Sequence, residues 1–418
     1  MSPRVYVVIG KNFGDEGKGR VVDDLACKAK SLVIRHNGGA QSGHTVIRRA
    51  FQNSEASSDG AQEARFIFHE LGAGSFTGAD TLWAETFYPD LYKLNEEYAA
   101  FYALSGIKSS IFSMPETPIT TIDDVLLNMA LERSRGDGRH GSCGMGIYEA
   151  YLRSQAGYGI TVADVKRGGV KELYELLKRN RKEYVLPRVR QLAADSEDYL
   201  DLDKCTEIMD LLEDDNVLWN AAVEICDAAG KIVLIDNVRG FLEKYDRVIF
   251  ETGQGLLLDS ENKEYAPHVT GSRTGLTNPA AFAGKAGINI DEVVYVTRSY
   301  VTRHGAGLLK HECSREELGI ENPDSTNVTN EWQGDFRYAP HSSIEEFLEA
   351  PCRDLEEFLE ALHCDHKECR HRPKVSLAIT HLSDTSDDLL FAKGAMPVES
   401  FCKAPETESF FDAIYLYD

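Results

Sequence analysis

The chain has 418 residues, of which 42% are hydrophobic, enough for one large α/β domain or two smaller ones. No apolar run reaches the roughly 18 residues of a membrane-spanning helix, and the N-terminus has no signal-peptide pattern. Nine scattered cysteines, an odd number, predict a protein of the reducing cytoplasm. A net charge of −23 repels nucleic acid, so any nucleotide partner should be small and bound in a locally basic pocket.

A glycine-rich loop, residues 10–20, is the first prominent motif. Before it lies Arg4–Ile9, a β-branched run typical of a buried parallel strand, and after it apolar residues recur at helical spacing from Val21 to Ala26. The loop therefore joins a strand to a helix N-terminus, where free backbone N–H groups and the helix dipole favour an anion. Lys18 adds a positive charge that suits phosphate.

This loop is not a Walker A loop, because Gly19 stands where the hydroxyl that binds magnesium would be. Asp15 and Glu16 would repel phosphate unless a metal ion or a proton transfer needs them. The sequence therefore favours a catalytic loop over the alternative, a tight acidic turn.

The second predicted strand, Ser31–Arg35, is followed by another glycine-rich stretch, residues 36–45, which contains His44. Ligands of parallel α/β sheets bind at the carboxyl ends of the strands. We therefore expect Asp15 and His44 to lie near one another as a base and an acid. The alternative is a structural histidine.

These two stretches, GDEGKG and RHNGGAQSGHTV, resemble the adenylosuccinate synthetase family, ligases that join aspartate to a 6-oxopurine nucleotide. The resemblance extends to about Ser383 and implies an α/β fold with a large, mostly parallel central sheet flanked by helices. Since the sequence has no internal repeat and no low-complexity linker, we predict a single domain over residues 1–418. Its C-terminal part diverges from the family from about residue 320.

The resemblance also implies substrates and catalytic groups. The partners would be a purine nucleoside monophosphate, ATP or GTP, and L-aspartate, in a homodimer with Mg²⁺ held by Asp15 and the Gly43 carbonyl. Asp15 would remove the N1 proton, His44 would donate to the leaving phosphate, and Lys18 would neutralise charge. Gln254 would contact the transferred phosphoryl group or the 6-oxygen. The implied nucleotide contacts are Gly14, Glu16, Gly17, Gly19, Asn37, Gln41, Ser142, Cys143, Thr270, Arg303 and Ser383.

Secondary structure is predicted between these motifs as well. Residues 50–64 are small and polar, which predicts a surface excursion, and Phe66–Leu71 predicts a strand. Residues 84–104 and 119–133 predict helices, and residues 170–245 predict a mostly helical scaffold.

The loop at residues 139–147 matches the family's glycine-rich loop for the nucleotide 5′-phosphate. Ser142 and Cys143 stand where the family has two threonines. A serine can donate to phosphate, whereas a cysteine is a poor donor. In the family an arginine of the partner subunit also reaches this phosphate, and Arg153 is the nearest candidate here.

Three further stretches resemble family motifs. ETGQG, which contains Gln254, follows the strand predicted at residues 246–250 and resembles E-G-A-Q-G. VTGS contains Thr270 and resembles V-T-S-S. TRHGAG follows the predicted strand Val293–Val296 and resembles T-R-V-G-A-G, so its Arg303 would contact the ribose or the polyphosphate.

The clearest departure from the family is the aspartate-binding loop at residues 325–337. The family has T-G-R-P-R-R there, and its arginines hold the carboxylates of aspartate; those arginines are absent from this chain. Arg337 is the candidate replacement, with Thr326, Asn327 and Thr329 as neutral donors, although the bidentate fork of arginine is hard to replace.

A second departure lies at residues 375–384, which resemble the family's base-reading motif T-K-L-D. His381 replaces the lysine, and Ser383 replaces the aspartate that binds guanine. Because serine offers only an uncharged acceptor, we expect no strict guanine selection unless Asp384 shifts in by one residue.

A cluster of soft ligands near residue 364 has close spacing but no complete zinc pattern. A solvated polar loop is favoured there over a structural metal site. The residues are Cys364, His366, Cys369 and His371.

Alternative functions remain open at the level of sequence. Asp15 and His44 argue against a nucleotide hydrolase or switch, and the intact set with Lys18 and Gln254 argues against an inactive binding protein. Within the ligase hypothesis the acceptor could be IMP, or GMP or dGMP with ATP as donor, as in phage relatives that make a 2-aminoadenine precursor. The phage relatives used for comparison replace the loop aspartate with a small residue, whereas this chain retains Asp15.

Overall fold

The computed structural model describes residues 2–49, 63–136, 144–194, 200–321, 334–364 and 372–417. The α-helices in these ranges are α1 (Lys18–Ala26), α2 (Leu91–Ser105), α3 (Ile122–Arg135), α4 (Ile147–Arg153), α5 (Val162–Asn180), α6 (Leu186–Ala194), α7 (Thr206–Glu213), α8 (Asp215–Ala229), α9 (Val238–Leu242), α10 (Thr277–Ala286), α11 (Ile344–Cys364), α12 (Val398–Cys402) and α13 (Pro405–Phe410). The strands are β1 (Arg4–Gly10), β2 (Ser31–Arg35), β3 (His44–Arg49), β4 (Glu63–Phe68), β5 (Asp80–Trp83), β6 (Ile111–Ser113), β7 (Ile232–Leu234), β8 (Arg247–Gly255), β9 (Glu292–Arg298), β10 (Val301–His304), β11 (Phe336–Ala339), β12 (Lys374–Thr380), β13 (Asp388–Phe391), β14 (Gly394–Pro397) and β15 (Ala413–Leu416).

Nine of these strands form one parallel sheet in the order β15-β12-β9-β1-β8-β2-β5-β6-β7. Strand β1 lies inside the sheet, where Val7 pairs with Phe250 of β8 on one side and with Val293 of β9 on the other. The predicted α/β fold with a large, mostly parallel sheet is confirmed. Because the strands are parallel, their carboxyl ends all lie at one edge.

The sheet has a hydrophobic core on each face. Tyr6 and Val8 of β1 pack in a cluster that includes the apolar side of α1. Val7 and Ile9 point the other way and pack in a second cluster with Phe347 of α11. Helices α1 and α11 therefore lie on opposite faces of the sheet, on either side of the loop that follows β1.

The predicted helices occur, but they begin later than expected. The helix predicted over residues 84–104 begins at Leu91, because the carboxylate of Asp90 accepts from the first free backbone N–H groups and caps it. The helix predicted over residues 119–133 begins at Ile122. Thr121 precedes it and forms a capping box with Asp124, the third residue of the helix.

Two other predictions need correction in detail. The strand predicted at residues 66–71 is β4, which ends at Phe68 and pairs with β3 outside the main sheet. The scaffold at residues 170–245 is mostly helical, as predicted, but contains β7, the edge strand of the main sheet. Most of the predicted surface excursion, residues 50–62, lies outside the described residues.

Within the described ranges, no helix combines the length and the apolar composition needed to cross a membrane. The prediction of a single domain stays a prediction.

Candidate functional site

The candidate site lies at the carboxyl edge of the sheet, where the loop after β1 meets the ends of β2, β8 and β12. The loop is closed by Glu16, whose carboxylate accepts from the backbone N–H groups of Asn12 and Gly14, both at 2.9 Å. Lys18 lies beneath it with a fully buried side chain, and its Nζ donates to the Gly14 carbonyl at 2.6 Å and to Glu16 at 3.3 Å. Glu16, predicted to contact nucleotide, therefore holds the loop itself in this structure.

The start of α1 packs closely against the end of β12, at Thr380, and the start of β3, at His44. Gly17 precedes the helix with a φ of 80°, a conformation that L side chains rarely adopt. A Cβ on Gly19 would lie 3.1 Å from the Cβ of His44. The structure thus places His44 directly beside the helix start that carries Lys18. The predicted pairing of His44 with Asp15 as acid and base stays a prediction.

His44 belongs to a buried ionic cluster with Glu251 and Arg35. Its Nδ1 lies 2.6 Å from Glu251 Oε1, while Arg35 Nη1 lies 3.3 Å from Glu251 Oε2. Although burial alone raises the pKa of Glu251, His44 and Arg35 outweigh that effect and hold the pKa at about 2. Because Glu251 is ionised, the short contact requires a proton on Nδ1, which His44 donates to the carboxylate.

The other ring nitrogen of His44 is available for a ligand. Nε2 is buried, and none of the described residues hydrogen-bonds to it. Burial lowers the pKa of His44 to about 4, even with Glu251 beside it. A buried polar atom without a hydrogen-bond partner raises the free energy of the folded protein. A substrate group that hydrogen-bonds to Nε2 would remove that penalty.

Asp15 lies in the same loop, between Gly14 and Glu16. Arg298 Nε donates to its backbone carbonyl at 2.5 Å, which ties the loop to the end of β9. Burial raises the pKa of the Asp15 carboxyl, whereas His304 and Arg298 act to lower it. A carboxyl group with a raised pKa in a partly buried loop suits proton transfer.

Three amide side chains meet beside Asp15's loop. Asn37 Nδ2 donates to Gln254 Oε1 at 3.0 Å, and Asn37 Oδ1 accepts from the Gly253 N–H at 2.9 Å. A Cβ on Gly38 would lie 2.8 Å from the Gln254 amide nitrogen and 2.9 Å from that of Gln41. The structure therefore brings together Asn37, Gln41 and Gln254, all of which the sequence assigned to the site.

Arg303 and Thr270 lie on the far side of this loop. The guanidinium of Arg303 is buried against Phe13, with 4.6 Å to the ring centroid, and donates to the carbonyls of Leu308 and His268. Burial and the nearby Arg337 lower the pKa of Arg303 to about 10. Thr270 donates its backbone N–H to Leu258. The predicted role of both residues in nucleotide binding stays a prediction.

Arg337 already has a carboxylate partner. Its Nε and Nη2 bind Glu312 at 2.9 and 2.5 Å, and Nη1 donates to the carbonyls of Gly305 and Gly307. An incoming aspartate would have to displace Glu312. The neighbouring candidates Thr326, Asn327 and Thr329 lie outside the described residues, as do Ser142 and Cys143 of the predicted phosphate loop.

The predicted base-reading position lies at the end of β12. Ser383 is exposed and begins a short turn. Asp384 is bound by Tyr300, whose hydroxyl donates to its carboxylate at 2.8 Å. The carboxylate of Asp384 therefore has a hydrogen-bond partner in this structure, and its shift into the base site stays a prediction.

The predicted metal ligands offer few protein oxygens. The Glu16 carboxylate already accepts hydrogen bonds from the loop and from Lys18. The oxygens that remain as predicted metal ligands are the Asp15 carboxylate and the carbonyl of the exposed residue Gly43. No group of three or more acidic, histidine or cysteine side chains suited to a metal occurs among the described residues. One carboxylate completed by phosphate oxygens and water is a donor set that fits Mg²⁺. Residues 365–371 of the soft-ligand cluster are not described.

Arg153 corrects one interpretation of the sequence. It is buried and binds Asp124 of its own chain at 2.9 Å, with further donors on the carbonyls of Tyr158 and Ile119. The side chain therefore binds its own chain in this structure, which does not support its predicted contact with the phosphate of a partner subunit.

The sequence analysis did not assign roles to Glu251 and Arg35. Each directly follows three apolar residues of a predicted strand region, Leu32–Ile34 or Val248–Phe250, which is a signal for a paired buried charge. Their pairing follows from the adjacency of β2 and β8, where Arg35 and Glu251 are partners in register although 216 residues separate them.

A strand, a glycine-rich loop and a helix N-terminus, with buried acid–base side chains at the edge of a parallel sheet, define an α/β protein with an anion site. The family model for adenylosuccinate synthetase matches residues 7–329. The chain belongs to the adenylosuccinate synthetase family, as the resemblance of its motifs predicted.

Relatives of known name agree with this assignment. Adenylosuccinate synthetase of Acinetobacter baylyi is 28% identical over 309 residues, which cover 72% of this chain and 62% of that protein. The enzyme of Pseudomonas fluorescens is 28% identical over 304 residues, covering 72% and 63%. The chain thus spans somewhat over three fifths of the length of these relatives.

Two solved structures share the fold. Fully ligated adenylosuccinate synthetase from Plasmodium falciparum has a TM-score of 0.60 at 18% identity, covering 92% of this chain and 79% of that one. Succinoaminodeoxyadenylate synthetase from cyanophage S-2L, bound to dGMP and to dATP as an energy donor, has a TM-score of 0.57 at 13% identity, covering 99% and 92%.

Proposed function

We propose that this chain joins L-aspartate to C6 of a 6-oxopurine nucleotide of the IMP type, using a nucleoside triphosphate through a 6-phosphoryl intermediate. The observation that carries the proposal is the buried, unpartnered Nε2 of His44 beside the helix start that carries Lys18. Asp15 adds a base to this cation, and Gln254 adds a second neutral hydrogen-bonding group beside His44.

The first step activates the purine. Asp15 takes the N1 proton, the 6-oxygen attacks the γ-phosphorus of the donor, and the nucleoside diphosphate leaves. Gln254, whose Oε1 accepts from Asn37, would donate its amide N–H to the 6-oxygen. Lys18 offsets the negative charge that accumulates on the transferred group.

His44 acts on the phosphate side of that step. In the free protein its pKa of about 4 makes it neutral, with the proton on Nδ1. Phosphate oxygens brought to Nε2 favour the protonated ring, which then donates from Nε2 while Glu251 stabilises its charge. Binding of the donor and protonation of His44 are therefore coupled.

Mg²⁺ fits the remaining donors. Asp15 and the Gly43 carbonyl would hold it together with phosphate oxygens. When bound, it would supply neutralisation of charge on the phosphates.

In the second step the α-amine of aspartate attacks C6 and inorganic phosphate leaves. The carboxylates of aspartate need donors, and Arg337 can serve only by releasing Glu312. Thr326, Asn327, Thr329 and Asn330 are proposed as neutral donors to those carboxylates.

A second acceptor, dGMP or GMP, is favoured by one observation. Ser383 stands where the family has its guanine-binding aspartate, and the phage relatives that act on GMP or dGMP also lack that aspartate. The retained Asp15 favours IMP. ATP serves as donor in either case, because Ser383 supplies no carboxylate for guanine.

The test is a phosphate-release assay that crosses IMP, GMP and dGMP with ATP and GTP, with and without aspartate. The proposal predicts release only when a purine monophosphate, a triphosphate and aspartate are all present, together with a new nucleotide product of matching yield. Asp15→Asn is the inactive control. Phosphate release that needs neither purine nor aspartate would mean a hydrolase instead.

We also propose a homodimer, on the basis of the family resemblance alone, and a cytoplasmic location. The dimer is tested by light scattering across working concentrations, in parallel with activity. A fully active monomer would refute it.

A further inference from the structure

A second lysine in the loop after β1 has no part in the proposed chemistry. Lys11 is only 5% exposed, and its Nζ donates to Asn12 Oδ1 at 3.0 Å. The ammonium also lies 3.9 Å from the ring centroid of Phe347. Among the described residues no carboxylate forms an ion pair with it, in contrast to Lys18, which pairs with Glu16.

Lys11 and Lys18 lie on opposite faces of the sheet. Phe347, which contacts Lys11, belongs to the core on the α11 face. Lys18 begins α1 on the other face and contacts Gly14 and Glu16. An occupant near Lys11 would therefore lie outside the acid–base cluster of His44.

The Lys11 side chain lines a small cavity of about 80 Å³. Its buried lining residues include the apolar side chains of Phe13, Tyr265, Leu309 and Phe347. A space of this size is too small for a nucleotide, but it suits an anion with a handful of heavy atoms. Lys11 supplies the buried positive charge of the lining. The other charged lining groups are exposed and sum to −1: the carboxylates Glu264, Glu346 and Glu349 and the cations Lys310 and Arg353.

We propose that this cavity is a second binding site, for a small oxyanion such as a sulfate-like tetrahedral ion or a simple carboxylate, with Lys11 as its cationic donor. An ammonium uses three donors, and Lys11 directs one at Asn12, so its remaining donors can bind the anion. This site does not depend on the proposed ligase activity.

Proton uptake is the expected signature of binding. Burial lowers the pKa of Lys11 to about 7, with Glu16 acting in the opposite direction. Burial and the Lys11 charge lower the pKa of the neighbouring His341 to about 3, so this histidine stays neutral above that value. An anion favours charged Lys11, so at pH 8, where about nine tenths of the amine is neutral, binding must take up nearly one proton.

The experiment is calorimetric titration of the whole protein with sulfate, which does not titrate near neutral pH, in two buffers of different ionisation enthalpy. Acetate in a second arm distinguishes a tetrahedral ion from a carboxylate. We expect binding with uptake near 0.9 proton at pH 8 and near 0.1 at pH 6, as about a tenth of the amine is neutral there. Lys11→Met should remove that uptake.

Lys30→Met is the matched control, since Lys30 also lies over an aromatic ring, at 5.2 Å from Tyr245, but is exposed. It should behave as wild type. Unchanged uptake in Lys11→Met, or binding of neither sulfate nor acetate to the wild-type protein at tens of millimolar, would overturn the proposal.

A chemical measurement covers the case in which Lys11→Met does not fold. Isocyanic acid carbamoylates neutral amines, the amine nitrogen adding to carbon while its proton moves to the cyanate nitrogen. Peptide mass spectrometry should show wild-type Lys11 modified faster than exposed Lys30 at pH 7, and sulfate should slow Lys11 alone. Equal slowing of both lysines, or none, would contradict the site.

Discussion

The two ends of the candidate site are built differently. At the ends of β1, β2 and β8, buried polar side chains bind one another, as in the contact of 2.6 Å between His44 and Glu251. At the end of β12, Ser383 is exposed in a short turn. A substitution at the first end leaves a buried partner unsatisfied, which costs about 1–3 kcal/mol, whereas a substitution at Ser383 leaves the fold intact. We therefore expect substitutions at the buried end to affect the proposed chemistry and a substitution at Ser383 to affect the choice of donor base.

Asp15→Asn tests the buried end most severely. It removes the proposed base and metal ligand with almost no change in volume, so turnover should fall by about 10²-fold or more, while the melting temperature stays close to wild type. The measurement is the steady-state rate of the variant and of the wild-type protein with all three substrates present. Near-wild-type activity would remove Asp15 from the mechanism.

His44→Asn should lower kcat by about 10²-fold and change the KM for the triphosphate far less, because the Nε2 contact strengthens in the transition state. If KM rose while kcat stayed constant, His44 would be a binding residue only.

Glu251→Gln should lower kcat by between about tenfold and a hundredfold, because the neutral amide no longer stabilises protonated His44. The matched control is the exposed carboxylate variant Glu243→Gln, which should be silent. To separate positioning from folding, the two variants are compared in a His44→Asn background. There Glu251→Gln should cost little, and a full additional loss would assign Glu251 to structure alone.

Ser383→Asp addresses the exposed end. Wild-type protein should use ATP at least comparably to GTP, and the substitution should shift kcat/KM towards GTP by about tenfold, since a carboxylate can accept from guanine N1 and N2. Tyr300→Phe is the companion variant, because it releases Asp384. A wild-type preference for GTP above about a hundredfold would show that Ser383 does not mark the base site.

His304→Val gives the smallest effect, a shift in pH dependence. Burial raises the pKa of Asp15, and His304 is the strongest influence acting to lower it. Because Asp15 must be ionised to take a proton, removing His304 should move the acid limb of the kcat/KM profile to higher pH. A limb that stays in place, or moves to lower pH, would separate His304 from Asp15.

Sequence patterns located the strands and loops that form the site, because strand–glycine–helix signals are local. They gave β2 its observed bounds and placed Asp15, Lys18 and His44 on adjoining loops. They could not assign Glu251, since its pairing with Arg35 depends on the order of strands in the sheet.

Contacts within the chain itself were the other feature that the sequence patterns did not show. Arg153 and Arg337 look like free cations in the sequence, but Asp124 and Glu312 already hold them. Local spacing does not reveal such partners, because Asp124 lies one helix away and Glu312 on a separate loop. The same limit applies to Lys11, whose isolation shows only in three dimensions.

The central claim, that the 6-oxygen of the purine attacks the γ-phosphate, has a direct isotopic test. The preferred acceptor is prepared with ¹⁸O at C6, turned over with triphosphate and aspartate, and the released phosphate is analysed by ³¹P NMR or mass spectrometry. The account predicts one ¹⁸O atom in each phosphate formed, in step with nucleotide product. Phosphate that carries oxygen only from the triphosphate and water would contradict it.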